Sequence, residues 1–431
     1  MSNDRESTRA PGVARRELWA WAMYDFANSG YTTVVITAIF SAYFVKVVGG
    51  NAPWATLAWT LALAASYVLV LVTAPLIGAY ADLHAMKKPI LALTTIGCVL
   101  CTALLAMVGP GDLWLAIVLL IASNFFFGTG EDLIAAFLPE LGKPAALGRI
   151  SAWGWSFGYL GGLLSLGICL AYVTAAQQQG EGAADFVPVT MLITAGIFAL
   201  AAIPTFLFLR ERAALRPSAS APLGTFARLL ETCRSARRFQ DLGRFLICLV
   251  FYQAGVQTVV ALAAVYAEQA MGFSTSETIM LILLVNIAAA AGAFAFGHIQ
   301  DKVGHRPTVA ATIVGWMITV VVTWLATSAQ VFWVAATLAG ICLGSSQSAG
   351  RALVGLLSPR ERVGEFFGLW GMAMKLAAIL GPVTYGVVVW VANGNHRTAI
   401  LATGAFFVVG FVLLFTVNVD RGRAAATLAN D

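Results

Sequence analysis

Four ionisable side chains interrupt otherwise apolar runs of this sequence, and few other residues in it have the type or spacing for chemistry. Asp25 is followed by Asn28 and Thr32 at i+3 and i+7, which makes a polar stripe on one helix face. Glu131 and Asp132 are adjacent, and Asn124 precedes Glu131 by seven residues, on the same face. Lys375 stands in the middle of a long apolar run. A carboxylate in such a place can hold a proton or face a cation, and a lysine can hold a carboxylate. Adjacent carboxylates that lose solvent together raise each other's proton affinity. Each has a plainer role open to it: Asp25 as a helix cap or ion-pair partner, Lys375 as partner of an acid on a neighbouring helix, and Glu131 and Asp132 as partners of Lys87, Lys88 or Arg149. Gln253 and Gln257 share one face, and Asn286 and Gln347 lie in further apolar runs. These four can hydrogen-bond a polar solute or hold helices together.

Other motifs carry less. Gly154-Trp-Ser-Phe-Gly158 spells the nucleophile pattern of hydrolases, but it sits in a helix-forming run with no histidine to serve it, so close helix packing is the better account. Cys98 and Cys101 have redox-motif spacing in an apolar run and read as buried thiols. The four histidines, 84, 298, 305 and 396, lack ligand spacing, so no metal site is expected. No phosphate-binding loop with Lys-Ser/Thr is present, which argues against direct use of ATP. No catalytic residue and no cofactor is expected, and energy would come from a proton or solute gradient.

The elements that must position these residues are membrane helices. The chain is 59% hydrophobic and only 11% charged, with mean hydropathy +0.82, whereas soluble chains carry about 25% charge. Twelve apolar runs approach the roughly 20 residues that cross a bilayer. They cover Trp19 to Val47, Ala55 to Tyr80, Pro89 to Val108, Leu113 to Phe137, Ile150 to Thr174, Pro188 to Leu209, Phe245 to Ala270, Thr278 to Ile299, Pro307 to Thr327, Val331 to Val354, Phe366 to Val391 and Thr398 to Val419. Asp25 then lies about 9 Å into span one and Lys375 about 16 Å into span eleven. Of the 26 Lys and Arg, 23 fall on one side of these spans, so both termini are expected in the cytoplasm and the net charge of +5 needs no nucleic-acid partner. Span one, too long for a cleaved leader, reads as a retained helix.

The expected organisation is a tail over 1–18, a six-helix bundle over 19–209, a basic linker over 210–244, a second six-helix bundle over 245–419 and a tail over 420–431. The halves repeat. Gly78 and Asp82, followed by Lys87 and Lys88, are echoed 219 residues later by Gly297 and Asp301, followed by Lys302, Gly304 and Arg306. On these residues the chain resembles the major facilitator superfamily, whose second span in each half is followed by Gly-x-x-x-Asp-Arg/Lys-x-Gly-Arg-Arg/Lys. The first copy departs from it at Leu83 and Ala85. The resemblance implies two rocking bundles, with Gly78, Asp82, Gly297, Asp301, Lys302 and Arg306 latching one state. Arg351, which the repeat sets opposite Asp132, would pair with Asp301 or Glu365.

Further motifs narrow it. Trp21-Ala-Met-Tyr-Asp-Phe-Ala-Asn-Ser29, Leu138-Pro-Glu140, Arg149-Ile-Ser-Ala-Trp-Gly154, Gly158-Tyr-Leu-Gly-Gly162, Gln347-Ser-Ala-Gly-Arg351, Glu365-Phe-Phe-Gly368 and Gly381-Pro382 are similar to the branch of autophagy-related vacuolar amino-acid effluxers and their bacterial relatives. That branch tends to carry an aromatic-Asn pair where this chain has Ile134-Ala135. The resemblance implies an all-α, twelve-span secondary transporter of a small solute, with amino-acid or metabolite efflux coupled to protons as one expectation. A multidrug exporter, or a receptor or scaffold on the same fold, is the alternative. A monomer in the inner cell membrane, touching only its solute and the lipid bilayer, is expected.

Overall fold

The computed structural model describes residues 9–10, 12–142, 147–212, 239–358 and 363–428, which are helical almost throughout. Twelve of the described helices are long and apolar enough to cross a bilayer. They are α1 (Arg15–Tyr31, continued by further turns to Val48), α2 (Ala55–His84), α3 (Lys87–Leu104), α4 (Leu113–Ala135), α5 (Leu147–Gln178), α6 (Ala183–Phe208), α7 (Gln240–Met271), α8 (Thr275–Val303), α9 (His305–Leu325), α10 (Ala329–Leu357), α11 (Val363–Val391) and α12 (His396–Leu414). A last helix, α13 (Val419–Leu428), follows the twelfth span, where the sequence suggested only a tail.

The chain divides into two compact units. One is Met1–Tyr43 with Ala65–Thr225, and the other is Phe44–Ala64 with Phe226–Asp431. Within the first, α1 packs on α5 and α6, and α3 packs on α4 and α6. Within the second, α7 packs on α11 and α12, and α9 packs on α10 and α12. These four pairings correspond between the units, while α8 also packs closely along α10 in the second.

Span one is less regular than its hydropathy suggests. After Tyr31 the backbone widens into a π-helical stretch, Thr32–Ala38, passes through one α turn, Phe40–Tyr43, and widens again over Phe44–Val48. The run Thr32-Thr-Val-Val-Ile-Thr37 is β-branched throughout, a poor helix former. Thr33 also donates from its hydroxyl to the carbonyls of Ser29 (2.9 Å) and Gly30 (3.2 Å), which competes with the backbone ladder there. Wide turns of this kind inside α-helices are frequent at functional sites.

The repeated Gly-x-x-x-Asp segments occupy the last turns of α2 and α8 and not the loops after them. Both helices end where φ turns positive, at Ala85 (φ 50°) and at Gly304 (φ 96°), two positions 219 residues apart.

Candidate functional site

In the first unit the polar face of α1 is set by glycines on α5. A β-carbon on Gly154 would strike the Asp25 carboxylate, one on Gly158 would lie 2.8 Å from Ser29 Oγ, and one on Gly161 would overlap the carbonyl oxygen of Phe26. The two backbones approach because these residues have no side chain, which is the packing role expected for the Gly154–Gly158 motif. That motif lies in helix, with no strand-to-helix elbow, and the Ser156 side chain lies outside the described residues.

The other face of α1 is anchored by polar contacts. Tyr24 and Thr95 hydroxyls meet at 2.8 Å, Tyr31 and Ser123 hydroxyls at 2.8 Å, and Trp21 Nε1 donates to the carbonyl of Ile134 at 2.8 Å. Asp25 is thereby held half-buried, and Asn28, one turn on, is only 6% exposed. The Oδ1 of Asn28 has no hydrogen-bond partner in the structure. Asn124 is fully buried and donates from Nδ2 to Ser66 Oγ at 2.6 Å, while its Oδ1 also lacks a partner. Buried amide oxygens without donors are rare, and such groups mark places where a polar guest or a functional role is expected. Glu131 is half-buried and Asp132, about 100° further round the helix, is exposed.

In the second unit two glutamines that the sequence left separate are joined. Gln253 of α7, nearly fully buried, donates from Nε2 to Gln347 Oε1 of α10 at 3.2 Å, and its own Oε1 has no partner. Gln257 is half-buried one turn on. Asn286 turns back on its own helix, donating to the carbonyl of Ile282 at 2.8 Å, which uses one of its two N–H donors. Lys375 is half-buried within α11. A glycine again admits the first span of the unit to the fifth: a β-carbon on Gly381 would overlap the carbonyl oxygen of Ala254.

The expected gating residues are only partly described. The side chains of Asp82, Asp301, Lys302 and Glu365, together with Gly297, lie outside the described residues. Gly78 is described, and nothing stands within 4 Å of where its β-carbon would be. Arg306 donates to the carbonyl of Phe415 at 3.2 Å with its guanidinium 5.5 Å from that ring, and Arg351 stacks over Trp370 at 5.3 Å.

Four buried or half-buried acids escaped the sequence reading. Glu17, in the first turn of α1, caps the backbone N–H of Ala14 and pairs with Arg212, just past α6, at 2.8 Å. Asp241, in the first turn of α7, is held by Arg421, just past α12, through two bonds of 2.7 Å, and accepts from the Asn418 N–H at 2.9 Å. Glu140 binds Lys87 Nζ at 3.0 Å and the Arg212 N–H at 2.8 Å. Glu268, at the last turn of α7, pairs with Lys46 at 3.6 Å and accepts from Thr275 at 3.2 Å. The signal for the first two was an acid opening spans one and seven matched by an arginine just after spans six and twelve. Among the described residues no group of three His, Cys, Asp or Glu could hold a metal ion.

Comparison with known proteins places this architecture. The family model described as vacuole effluxer Atg22-like matches residues 145–427. The MFS-type transporter YxiO of Bacillus subtilis is 26% identical over 424 residues, which cover 96% of this chain and 97% of that protein. Autophagy-related protein 22 of Pyricularia oryzae is 26% identical over 303 residues, 64% of this chain but only 44% of that longer protein. Among solved structures, a bacterial homologue of the human lysosomal transporter Spinster, inward-facing and unoccupied, superposes with TM-score 0.71 over 96% of this chain and 99% of its own at 14% identity. A D-xylose–proton symporter gives TM-score 0.68 at 16% identity over 94% and 99% of the two chains. At these identities the structural likeness is one of fold.

Proposed function

The chain belongs to the vacuole effluxer Atg22-like family and is a multi-pass membrane transporter of the major facilitator type, and on that premise we propose that it exports a small polar solute, an amino acid or similar metabolite, by alternating access driven by a proton or solute gradient. It would act as a monomer in the plasma membrane with both termini in the cytoplasm.

The observation that carries the reading is Asp25, half-buried well inside span one, with Asn28 one turn on, whose Oδ1 has no donor among the described residues. A charge at the bilayer centre costs about 2.5–3.5 kcal/mol on insertion scales, so such a group is retained for a pathway or a partner. Asp25 would carry the coupling proton or face the solute ammonium, with Glu131 and Asp132 relaying protons toward the end of α4. In the second unit Lys375 would hold a solute carboxylate, with Gln253, Gln257, Asn286 and Gln347 as hydrogen-bonding groups. Asp82, Asp301, Lys302, Arg306, Arg351 and Glu365 would act in gating.

The test is counterflow in proteoliposomes loaded with pooled amino acids, with and without an imposed pH gradient. Exchange of a zwitterion, accelerated by the gradient and made insensitive to it in Asp25→Asn, is the expected result. Exchange of hydrophobic cations in its place would make the protein a multidrug exporter, and no exchange of any solute would favour a receptor or scaffold. Lys375→Ala should weaken uptake of carboxylate-bearing solutes selectively; uptake of every solute unchanged would remove Lys375 from the binding role.

A further inference from the structure

The first unit has an apolar groove between α2, α3 and α4 with a volume of about 340 Å³. Its walls include Leu76, Ile77 and Tyr80 of α2, Leu93 of α3 and Phe125 and Phe126 of α4. The groove has a shaped floor. The Phe126 ring packs onto the backbone of Gly97, where a β-carbon would come within 2.7 Å of it. Thr94 and Thr129 also line the groove, but each hydroxyl donates within its own helix, to the carbonyls of Leu91 (3.0 Å) and Phe125 (2.8 Å). Neither hydroxyl hydrogen is then left for a polar guest, and the largely apolar wall suits a hydrocarbon occupant.

The position of the mouth says which hydrocarbon. Val68, Val72, Leu76 and Tyr80 form one exposed row along α2, and Leu93, Ile96, Leu100 and Leu104 form another along α3. Exposed apolar rows on membrane-crossing helices face lipid tails. Leu76, Tyr80 and Leu93 belong to these rows and to the groove wall at once, so the groove opens on the bilayer interior. At its polar end, Tyr80 and His84 lie one turn apart at the end of α2, exposed, with ring centroids 4.3 Å apart. Such amphipathic rings favour the headgroup level.

We propose that a phospholipid of the surrounding bilayer seats one acyl chain in this groove, with its headgroup beside Tyr80 and His84, as a bound component of the first unit. The helix pair that corresponds to α2 and α4 in the second unit is α8 and α10, which approach each other closely through glycines. Gly292 faces the carbonyl of Ile341, Gly340 that of Val285 and Gly344 that of Ala289, each too near for a β-carbon. The inference is independent of which solute is carried.

The experiment uses the full chain in liposomes containing phosphatidylethanolamine with a diazirine on one acyl chain, irradiated and mapped by peptide mass spectrometry. Peptides holding Leu93 and Phe126 should take label several-fold above those holding Val334 and Val412, which are equally exposed elsewhere. Leu93→Trp, which narrows the mouth, should drop that label to the level of the control peptides, while Leu93→Ala should keep it. Label spread evenly over all exposed rows, or undiminished in Leu93→Trp, would overturn the proposal, and the wild-type contrast alone decides if the tryptophan variant does not fold. Loss of label when a transported solute is added would also overturn it, because the groove would then serve the solute.

Discussion

The two halves hold their first span by the same device but furnish it with different chemistry. In the first, Gly161 of α5 faces the carbonyl of Phe26, and in the second, Gly381 of α11 faces the carbonyl of Ala254. Beside the first contact lie Asp25 and Asn28; beside the second, Gln253 bonds to Gln347. The contact in the first half thus has an ionisable group beside it and that in the second a neutral amide pair, the second half's own ionisable group, Lys375, standing further along α11. The frame that sets helix spacing has been kept in duplicate while the polar groups it presents have diverged.

The frame is the first thing to break. Gly161→Val and Gly381→Val each drive a side chain into a carbonyl oxygen that cannot swing aside, so each should cost about 3 kcal/mol or more. The measurement is thermal unfolding of the detergent-solubilised protein together with folded yield. Losses of similar size support equivalence of the two contacts. Tolerance at one site alone would mean that only one half depends on it.

The arginine clasps come next, and they should separate the halves. Arg212→Ala leaves Glu17, almost fully buried, with the Ala14 N–H as its remaining donor among the described residues, and should cost about 2–3 kcal/mol. Arg421→Ala leaves Asp241 with the Asn418 N–H and with Arg244 at 3.9 Å, and Arg421 itself is exposed, so a smaller loss is expected. Adding Glu17→Gln to Arg212→Ala should restore part of the loss, because the stranded charge is gone. Equal costs in the two halves would show that the backup contacts at Asp241 contribute nothing.

What the sequence made legible follows the same division. Span number, the two-half repeat and the packing role of Gly154 and Gly158 rest on periodic apolar runs and small residues, signals that are local and additive. Asp25, Asn28 and Asn124 could be placed on helix faces but not paired, since a face says nothing of the helix opposite; the Asn124–Ser66 bond joins residues 58 apart. Glu17 and Asp241 looked like ordinary first-turn acids, favourable to a helix dipole, and their partners lie 195 and 180 residues away. Nor did hydropathy reveal the π-helical turns of span one, because a widened turn keeps its apolar content.

The smallest effect concerns the turns that end α2 and α8. Gly304, at φ 96° and ψ 161°, occupies a region that is nearly closed to other residues, and Gly304→Ala should cost about 1–3 kcal/mol. Its counterpart Ala85 sits at φ 50°, where a β-carbon costs about 1–2 kcal/mol relative to glycine. Glycine would relieve that strain but would also loosen the unfolded chain, which subtracts about 0.4–1 kcal/mol. The strain is the larger of the two, so Ala85→Gly should stabilise the protein by roughly 0.5 kcal/mol, read from unfolding of the single variant against wild type. A gain would mean that the first copy of the motif lost its glycine and kept its turn. A loss would mean that the first half has settled the end of α2 in a geometry of its own, and the likeness of the two turns would then stop at the sign of φ.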